Sequence, residues 1–282
     1  MKRQTYILPS SSNIIKALNR KRQPYQIEYT SNTTTIKADD PQGRPVKYLC
    51  SDRGLNIKDL GFVQKVKSYV EKLEKPQVNV LSRDIEYFKF NDLEPGFYEG
   101  VSELDINKAY WITAYKLGYL SKEIYEQGLT VDKMTRLISW GAIAATKRIY
   151  TVNEKGERKY KDEICNKVTR SYFFDVAHEL GIQMAEVLEV HRKSVLFYWV
   201  DAFFIQGRSA PAIIEKEMRL KGLPVKNVPL WHIHVQNKNE FSDLITVTTK
   251  GGKEKPFHRK KGNRQEFQFM EYCSILAAAP KK

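Results

Sequence analysis

Apolar residues recur at helical spacing in some segments of the chain and at strand spacing in others. Gly54 to Lys75 has apolar residues three and four positions apart, which predicts a helix ending before Pro76. Val78 to Leu81 and Tyr87 to Phe90 have the short, β-branched or aromatic composition of strands. Residues 1 to 27 contain no acidic residue, so we expect either a basic, partly mobile arm or a solvated tail without a specific role.

The pattern becomes denser beyond residue 100. Val101 to Ile106 predicts a strand, and Ser194 to Ile205 predicts one buried strand because its apolar, β-branched and aromatic content is continuous. Helices are predicted over Ala109 to Leu120, Ser121 to Gln127, Asp132 to Tyr150 with Asp132 as N-cap, Val168 to His191, and Ala210 to Lys221. Further strands are predicted over Leu230 to Val235 and Leu244 to Thr249, with a hairpin-like turn between Tyr150 and Tyr160. This order of elements predicts the α+β class.

Composition constrains the partner more than the fold. The 282 residues are 41% hydrophobic, which is enough for a core, and 47 Lys and Arg against 33 Asp and Glu give a net charge of +14. Such a surplus favours a polyanionic partner. A membrane partner is not expected, since the longest apolar run, Val195 to Ile205, is far shorter than the about 20 residues of a membrane span. Three distant cysteines predict neither a disulfide framework nor a zinc cluster, which indicates a reducing, cytoplasmic setting.

Two acidic residues are notable for their positions. Asp105 lies at the end of a predicted strand, just before a predicted helix, and Asp201 lies within the most apolar segment of the chain. A buried carboxylate is costly unless it is paired or binds a metal ion. A salt bridge to one of the many basic residues is one explanation for Asp201. The other is a site in which two carboxylates on adjacent strands hold two Mg²⁺ ions for phosphoryl transfer.

The segments around these acids resemble the palm motifs of family B DNA polymerases. Asp105 to Trp111 reads DINKAYW, which keeps the Asp, Asn and Tyr of motif A, Asp-x-Asn-Ser-Leu-Tyr-Pro. Lys133 to Gly141 keeps the lysine, an aromatic residue and the glycine of motif B, but has Leu-Ile in place of Asn-Ser. The similarity extends over roughly residues 97 to 260 and includes the order of the motifs.

Motif C, Tyr-x-Asp-Thr-Asp-Ser, has a weaker counterpart in Phe197 to Ala202. The second aspartate of the motif is kept as Asp201, whereas Trp199 stands in the position of the first. Lys255 to Phe257 is a loose counterpart of the Lys-x-Tyr element that follows motif C. The missing acid therefore separates two hypotheses, an active polymerase and a degenerate one.

The resemblance implies a role for each matched residue. The catalytic carboxylates, which would also bind Mg²⁺ or Mn²⁺, are Asp105 and Asp201. The nucleotide-binding residues are Tyr110 beneath the sugar, Lys133 on the triphosphate, and Trp140 and Gly141 at the nascent base pair. Ordinary core aromatics and a solvated helix lysine are the alternatives for Tyr110, Trp140 and Lys133.

The resemblance also implies an architecture. We expect a polymerase-type palm, with an antiparallel sheet packed on helices and no exonuclease domain. Only 27 residues separate Asp105 from Lys133, so the fingers would be very short. The predicted division is a basic N-terminal region of unknown role (1–96), a palm-like core with short fingers (97–265) and a C-terminal segment (266–282).

A basic segment lies near the end of the predicted core. Its charged residues are interleaved with Phe257 and His258, a pattern expected where a nucleic-acid backbone is bound and bases are stacked. The residues predicted to contact nucleic acid are Lys253, Lys255, Arg259, Lys260 and Lys261. A solvated basic loop is the alternative.

Taken together, these features predict template-directed DNA synthesis by a minimal polymerase palm, encoded by a virus such as a phage or by a mobile element and located in the host cytoplasm. The expected partners are DNA, as primer-template or single strand, deoxynucleoside triphosphates, and replication or virion proteins, without a membrane. Because Trp199 replaces one acid, the alternative is a catalytically degenerate palm that binds nucleic acid as an accessory or structural protein.

Overall fold

The computed structural model describes residues 4–8, 10–30, 33–51, 55–74, 85–91, 93–239 and 242–260. The chain divides into two compact units: unit 1 is Met1–Asn79 with Ala114–Phe173, and unit 2 is Val80–Thr113 with Phe174–Lys282. The predicted core, 97–265, therefore has residues in both units, and the predicted domain boundaries stay predictions. The strand predicted at Val78 to Leu81 and the segment 266–282 lie outside the described residues.

Unit 1 contains a six-stranded sheet. Its strands are β1 (Gln4–Leu8), β2 (Tyr25–Tyr29), β3 (Thr33–Asp39), β4 (Pro45–Ser51), β8 (Thr146–Val152) and β9 (Arg158–Cys165). They lie in the order β1-β4-β3-β2-β8-β9, and all neighbours are antiparallel except β1 and β4. Four helices belong to this unit: α1 (Ser12–Arg20), α2 (Ile57–Val70), α4 (Lys122–Thr130) and α5 (Lys133–Gly141).

The prediction of a basic, partly mobile N-terminal arm is wrong. Residues 12 to 29 instead form α1 and β2, and Leu18 of α1 packs with Tyr25, Ile27 and Ile36 in a buried cluster. Burying these side chains stabilises the segment by roughly 1.5–3 kcal/mol each. The apolar residues are interspersed with basic ones, and the charge pattern therefore hid them.

The long helix predicted from Asp132 to Tyr150 is half right. Asp132 is the N-cap, since its Oδ1 accepts a hydrogen bond from the Thr135 backbone N–H at 2.9 Å. However, α5 ends at Gly141, and Thr146–Val152 is strand β8, which pairs with β2 and β9. Hydrogen bonding of β8 to a strand on each side stabilises the extended conformation more than the local apolar spacing favours a helix. The turn predicted between Tyr150 and Tyr160 is confirmed as the β8–β9 connection.

Glu28 of β2 carries a buried charge in unit 1. The residue is 4% exposed, and its carboxylate forms ion pairs with Lys37 and, at 3.3 Å, with Lys147. Burial alone would raise the pKa of Glu28. The hydrogen bonds and positive charges of the two lysines outweigh burial and hold that pKa below its ordinary value of 4.5.

We expect Glu28→Gln to lower the free energy of unfolding at neutral pH by about 1–3 kcal/mol, since two charge-assisted hydrogen bonds are weakened. A carboxyl group with a depressed folded-state pKa stabilises the fold above its unfolded pKa, and this contribution disappears as the pH falls through the folded pKa. The difference between the two proteins should therefore shrink below about pH 4.5. Urea unfolding at several pH values measures it, and a difference independent of pH would contradict the prediction.

Unit 2 contains the second sheet, which is antiparallel throughout. Its strands are β5 (Phe88–Phe90), β6 (Gly96–Glu99), β7 (Val101–Ile106), β10 (Val195–Trp199), β11 (Ala202–Gln206), β12 (Val225–Asn239), β13 (Ser242–Thr249) and β14 (Glu254–Lys260). They lie in the order β14-β13-β12-β7-β11-β10-β5, with β6 beside β12. The remaining helices among the described residues are α3 (Ala109–Lys116), α6 (Lys167–Val190) and α7 (Ala210–Leu220), and α7 packs on β7, β11 and β12. These helices and sheets confirm the predicted α+β class. No helix in the described ranges is long and apolar enough to cross a membrane.

The sheet of unit 2 is strongly curled. Trp231 is an extra residue in β12, because Leu230 pairs with Thr249 and His232 with Thr248, and such a bulge bends a strand. In a flat sheet β14 would lie about 19 Å from β11, four strands away. Instead, the ring of Phe257 in β14 lies 5.5 Å from that of Phe204 in β11. The sheet thus folds over its own face and encloses the core of the unit.

Gly181 lies where α6 approaches the chain before β5. A Cβ atom at this position would lie 2.7 Å from the carbonyl oxygen of Glu86. We expect Gly181→Ala to lower the free energy of unfolding by about 1–3 kcal/mol, because the backbone must move to admit the methyl group. Gly61→Ala is the matched control in a helix with open space around it, and it should stabilise the protein by up to about 1 kcal/mol. Thermal unfolding of both variants checks this, and equal shifts would contradict it.

Candidate functional site

The segment that carries Asp201 is a hairpin, which corrects the prediction of one strand from Ser194 to Ile205. Trp199 at the end of β10 pairs with Ala202 at the start of β11, so Val200 and Asp201 form a two-residue turn. Both strands are apolar and the turn contains no glycine or asparagine, which explains why the pattern looked continuous. Asp201 is therefore at a turn, where its side chain is half-buried, rather than inside a buried strand.

Asp105 lies next to this turn. On β7 it pairs with Ala202 of β11 on one side and with Lys226 of β12 on the other. The backbone N–H of Ile106 donates to the Asp201 carbonyl oxygen at 2.8 Å. The two acids therefore occupy the same end of neighbouring strands, and both side chains are half-buried.

The backbone is strained beside each acid. Lys108, three residues after Asp105, has a φ of 61°, and Val200, directly before Asp201, has a φ of 57°. A β-branched residue in this region is an outlier, and such strain concentrates at functional sites. At Val200 the turn is held by its N–H, which donates to the Tyr87 carbonyl oxygen at 2.6 Å. Lys108 redirects the chain from β7 into α3.

Sequence reasoning missed a charged pair close to Asp105. Glu103 lies two residues earlier on the same face of β7, and its carboxylate accepts hydrogen bonds from Lys255 Nζ at 2.9 and 3.0 Å. The Glu103 side chain is only 12% exposed. The alternation of side chains along a strand could have placed Glu103 on the face of Asp105, but only the curl of the sheet brings Lys255 to it.

Trp199 lies in an aromatic cluster. Its ring stacks on Phe88 at 4.8 Å and meets Phe257 edge to face at 5.1 Å and Phe90 at 6.4 Å between centroids. Trp199, which the resemblance aligns with the first acid of motif C, is thus a ring that packs against three others. Phe257, predicted among bases and phosphates, also packs with Phe204 and Phe197.

The four predicted nucleotide-binding residues fall in different units. Tyr110 is in unit 2, half-buried, and packs with Ile85 and Ala177. In unit 1, Lys133 is exposed and is the first residue of α5. Gly141 is the last residue of α5, and no atom lies within 4 Å of the position that a Cβ on it would occupy. The 27 residues between Asp105 and Lys133, predicted to form very short fingers, contain α3 and α4. These roles stay predictions.

Trp140 is 3% exposed, and its Nε1 has no hydrogen-bond partner among the described residues. An indole in this environment has the burial of a core aromatic residue. Stacking on a base pair, as predicted, would require this ring to be uncovered, and the role stays a prediction.

The basic segment is only partly available to a ligand. Lys253 is exposed in the turn before β14, whereas Arg259 is 19% exposed and its Nε lies 3.2 Å from the buried carboxylate of Asp243. Lys255 is paired with Glu103. Lys260 ends β14, and Lys261 lies outside the described residues. Contact with nucleic acid stays a prediction for the whole set.

A divalent cation is compatible with the two acids. Within the described part of the chain, no group of three or more His, Cys, Asp or Glu side chains is placed to hold a metal ion. Mg²⁺, however, retains several waters and often takes one or two carboxylates from the protein and the rest from substrate phosphates. Asp105 and Asp201 supply oxygen donors of this kind at neighbouring strand ends.

The chain matches no protein-family model, and it matches no curated protein sequence. Among solved structures it is similar to the family B DNA polymerase from the hyperthermophilic archaeon Pyrobaculum calidifontis, with a TM-score of 0.37 and 12% sequence identity. The similarity covers 79% of this chain and 36% of that polymerase, so the chain spans about a third of the polymerase's length.

Proposed function

We propose that this protein is a metal-dependent nucleotidyl transferase that extends DNA from deoxynucleoside triphosphates. One observation carries the proposal: the hairpin turn with Asp201 lies beside the strand end with Asp105, with strained backbone at Val200 and Lys108. Paired carboxylates at adjacent strand ends suit metal-assisted phosphoryl transfer. The net charge of +14 favours DNA as the partner.

The proposed site residues would have different roles in this reaction. Asp105 and Asp201 would hold two Mg²⁺ or Mn²⁺ ions, which when bound activate the attacking 3′-hydroxyl and stabilise the pyrophosphate that leaves. Tyr110 would reject a 2′-hydroxyl group by steric exclusion.

Primer extension tests the proposal. The full-length protein is incubated with a labelled primer-template, deoxynucleoside triphosphates and either Mg²⁺ or Mn²⁺, with EDTA as the metal-free control. We expect template-dependent extension that EDTA abolishes. Absence of extension with both metals, at protein concentrations that saturate the DNA, would refute nucleotidyl transfer.

The position of Trp199 favours a second candidate function. Its packing against Phe88 and Phe257 puts an aromatic cluster where an acid stands in motif C, and β14 lies over the same face of the sheet. A protein of this kind would bind nucleic acid without catalysis, as an accessory or structural component of replication. Saturable DNA binding without extension under either metal would support this candidate over the first.

A further inference from the structure

One face of the unit 1 sheet carries a row of four tyrosines and two isoleucines across its six strands. The cross-strand register places them in one line with two isoleucines, in the order Tyr6, Tyr48, Ile36, Ile27, Tyr150 and Tyr160. The two isoleucines at the centre are fully buried in the cluster that includes Leu18 of α1. At the edges, Tyr6 is 42% exposed and Tyr160 is 54% exposed. Helix α1 thus covers the middle of the face and leaves aromatic rings open at its ends.

The rings at the β9 end of this row form a connected group. Tyr29 meets Tyr150 edge to face at 5.8 Å, and Tyr150 meets Tyr160 in the same way at 5.6 Å. The guanidinium carbon of Arg158 lies 5.9 Å from the centre of the Tyr29 ring. We call Tyr29, Tyr150, Arg158 and Tyr160 the tyrosine face. It combines exposed π-surface with a fixed cation.

The surroundings of the tyrosine face are basic. The β8–β9 turn lies against α1, since a Cβ on Gly156 would stand 3.8 Å from the Asn19 side chain. Exposed basic residues on α1, on the turn after it, on the β8–β9 connection and at the start of β9 are Lys16, Arg20, Lys21, Arg22, Lys155 and Arg158. The exposed acids of these segments are Glu154 and Glu157, and farther along β9 Asp162 and Glu163 are exposed, with Glu163 paired to Arg148 at 3.2 Å. The positive charges outnumber the negative ones, which produces a surface that attracts a polyanion.

We propose that the tyrosine face and its basic surroundings bind single-stranded nucleic acid. Exposed aromatic rings stack on unpaired bases, and neighbouring Arg and Lys contact the phosphates. A duplex would satisfy the charges but not the rings, because its bases are already stacked on one another. The proposal goes beyond the proposed function and does not depend on it, since neither Asp105 nor Asp201 belongs to this surface.

Strand β9 provides matched variants for the test. Arg158 is on the tyrosine face, whereas its neighbour Lys159, paired with Thr151, points to the opposite face of the same exposed strand. Arg158→Glu and Lys159→Glu therefore make the same charge reversal on the two faces. Tyr160→Ser is compared in the same way with Ile164→Ser, since Ile164 is 47% exposed on the face opposite Tyr160.

Binding of a fluorescent oligodeoxythymidylate of about 12 nucleotides is measured by anisotropy, in EDTA and without nucleotide. We expect Arg158→Glu and Tyr160→Ser each to raise the Kd about tenfold, and Lys159→Glu and Ile164→Ser to change it less than about twofold. Arg158→Glu should also reduce the slope of log affinity against log salt by about 0.7. Circular dichroism checks that each variant is folded.

Other results would overturn the proposal. Equal loss of affinity for Arg158→Glu and Lys159→Glu would show that only overall charge matters. Unchanged affinity of Tyr160→Ser would show that no base stacks there, and equally tight binding of duplex DNA would remove the preference for single strands. Binding that persists in the Asp105→Asn variant would support the proposal even if primer extension fails, so the two hypotheses fail separately.

Discussion

Asp105→Asn is expected to reduce primer extension at least about 100-fold, while the affinity for DNA stays unchanged or increases. Asn keeps the size of the side chain and its place on β7 but removes the negative charge that would hold a divalent cation, worth several kcal/mol in the transition state. DNA binding does not suffer, because one repulsive charge near the phosphates is lost. Single-turnover extension and DNA anisotropy on the same preparation measure both effects.

Asp201→Asn should have the same effect as Asp105→Asn, since both carboxylates are proposed to hold the ions. Glu99→Gln is the control, because this exposed acid lies on β6 in the same unit and loses the same charge. It should leave extension within about twofold of the unsubstituted protein. Extension that survives Asp105→Asn would place the active site elsewhere, and an equal loss in Glu99→Gln would attribute the effect to overall charge.

Arg259→Met is expected to lower the free energy of unfolding by about 3–5 kcal/mol. The guanidinium lies 3.2 Å from the carboxylate of Asp243, whose side chain is 2% exposed, and it also donates to the Asn91 carbonyl oxygen at 3.3 Å. Removal of Arg259 leaves a buried carboxylate without its cationic partner, which costs more than the pair itself contributes. Urea unfolding followed by circular dichroism measures the loss.

Two comparisons make the result for Arg259 specific. Lys253→Met removes the same charge from the exposed turn before β14 and should change stability by less than about 0.5 kcal/mol. The double variant Asp243→Leu with Arg259→Met removes both charges and should recover most of the stability. A stable Arg259→Met protein with weakened DNA binding would instead support the role in nucleic-acid binding that the sequence predicts for Arg259.

Local patterns in the sequence predicted several elements well. Strand β7 agrees with its prediction, Val101 to Ile106, at both ends, because this short segment lies between Gly100 and the turn at Asn107 and Lys108. Helix α6 agrees within a residue, since its apolar repeat continues over more than six turns. Asp105 to Trp111, the segment that resembles motif A, lies where a predicted strand meets a predicted helix.

Features that depend on distant parts of the chain could not be predicted in this way. The hairpin turn at Val200 and Asp201 contains no glycine or asparagine, and pairing of β10 with β5 and of β11 with β7 stabilises its strained backbone. The contact between Glu103 and Lys255 depends on the curl of the sheet. Likewise, nothing local shows that β8, immediately after a helix, joins β2 from the N-terminal segment.

The two segments of unit 2 are separated along the sequence by residues of unit 1, and this order has a consequence during synthesis on the ribosome. Strand β7 leaves the ribosome long before its neighbours β11 and β12, and the pairing of Asp105 with Ala202 spans about 100 residues. At about 5–20 residues per second, β7 waits about 5–20 s with both edges unpaired. Charged residues in such a strand discourage aggregation with other chains. Glu103 and Asp105 would thus protect the nascent chain before they take part in the folded protein.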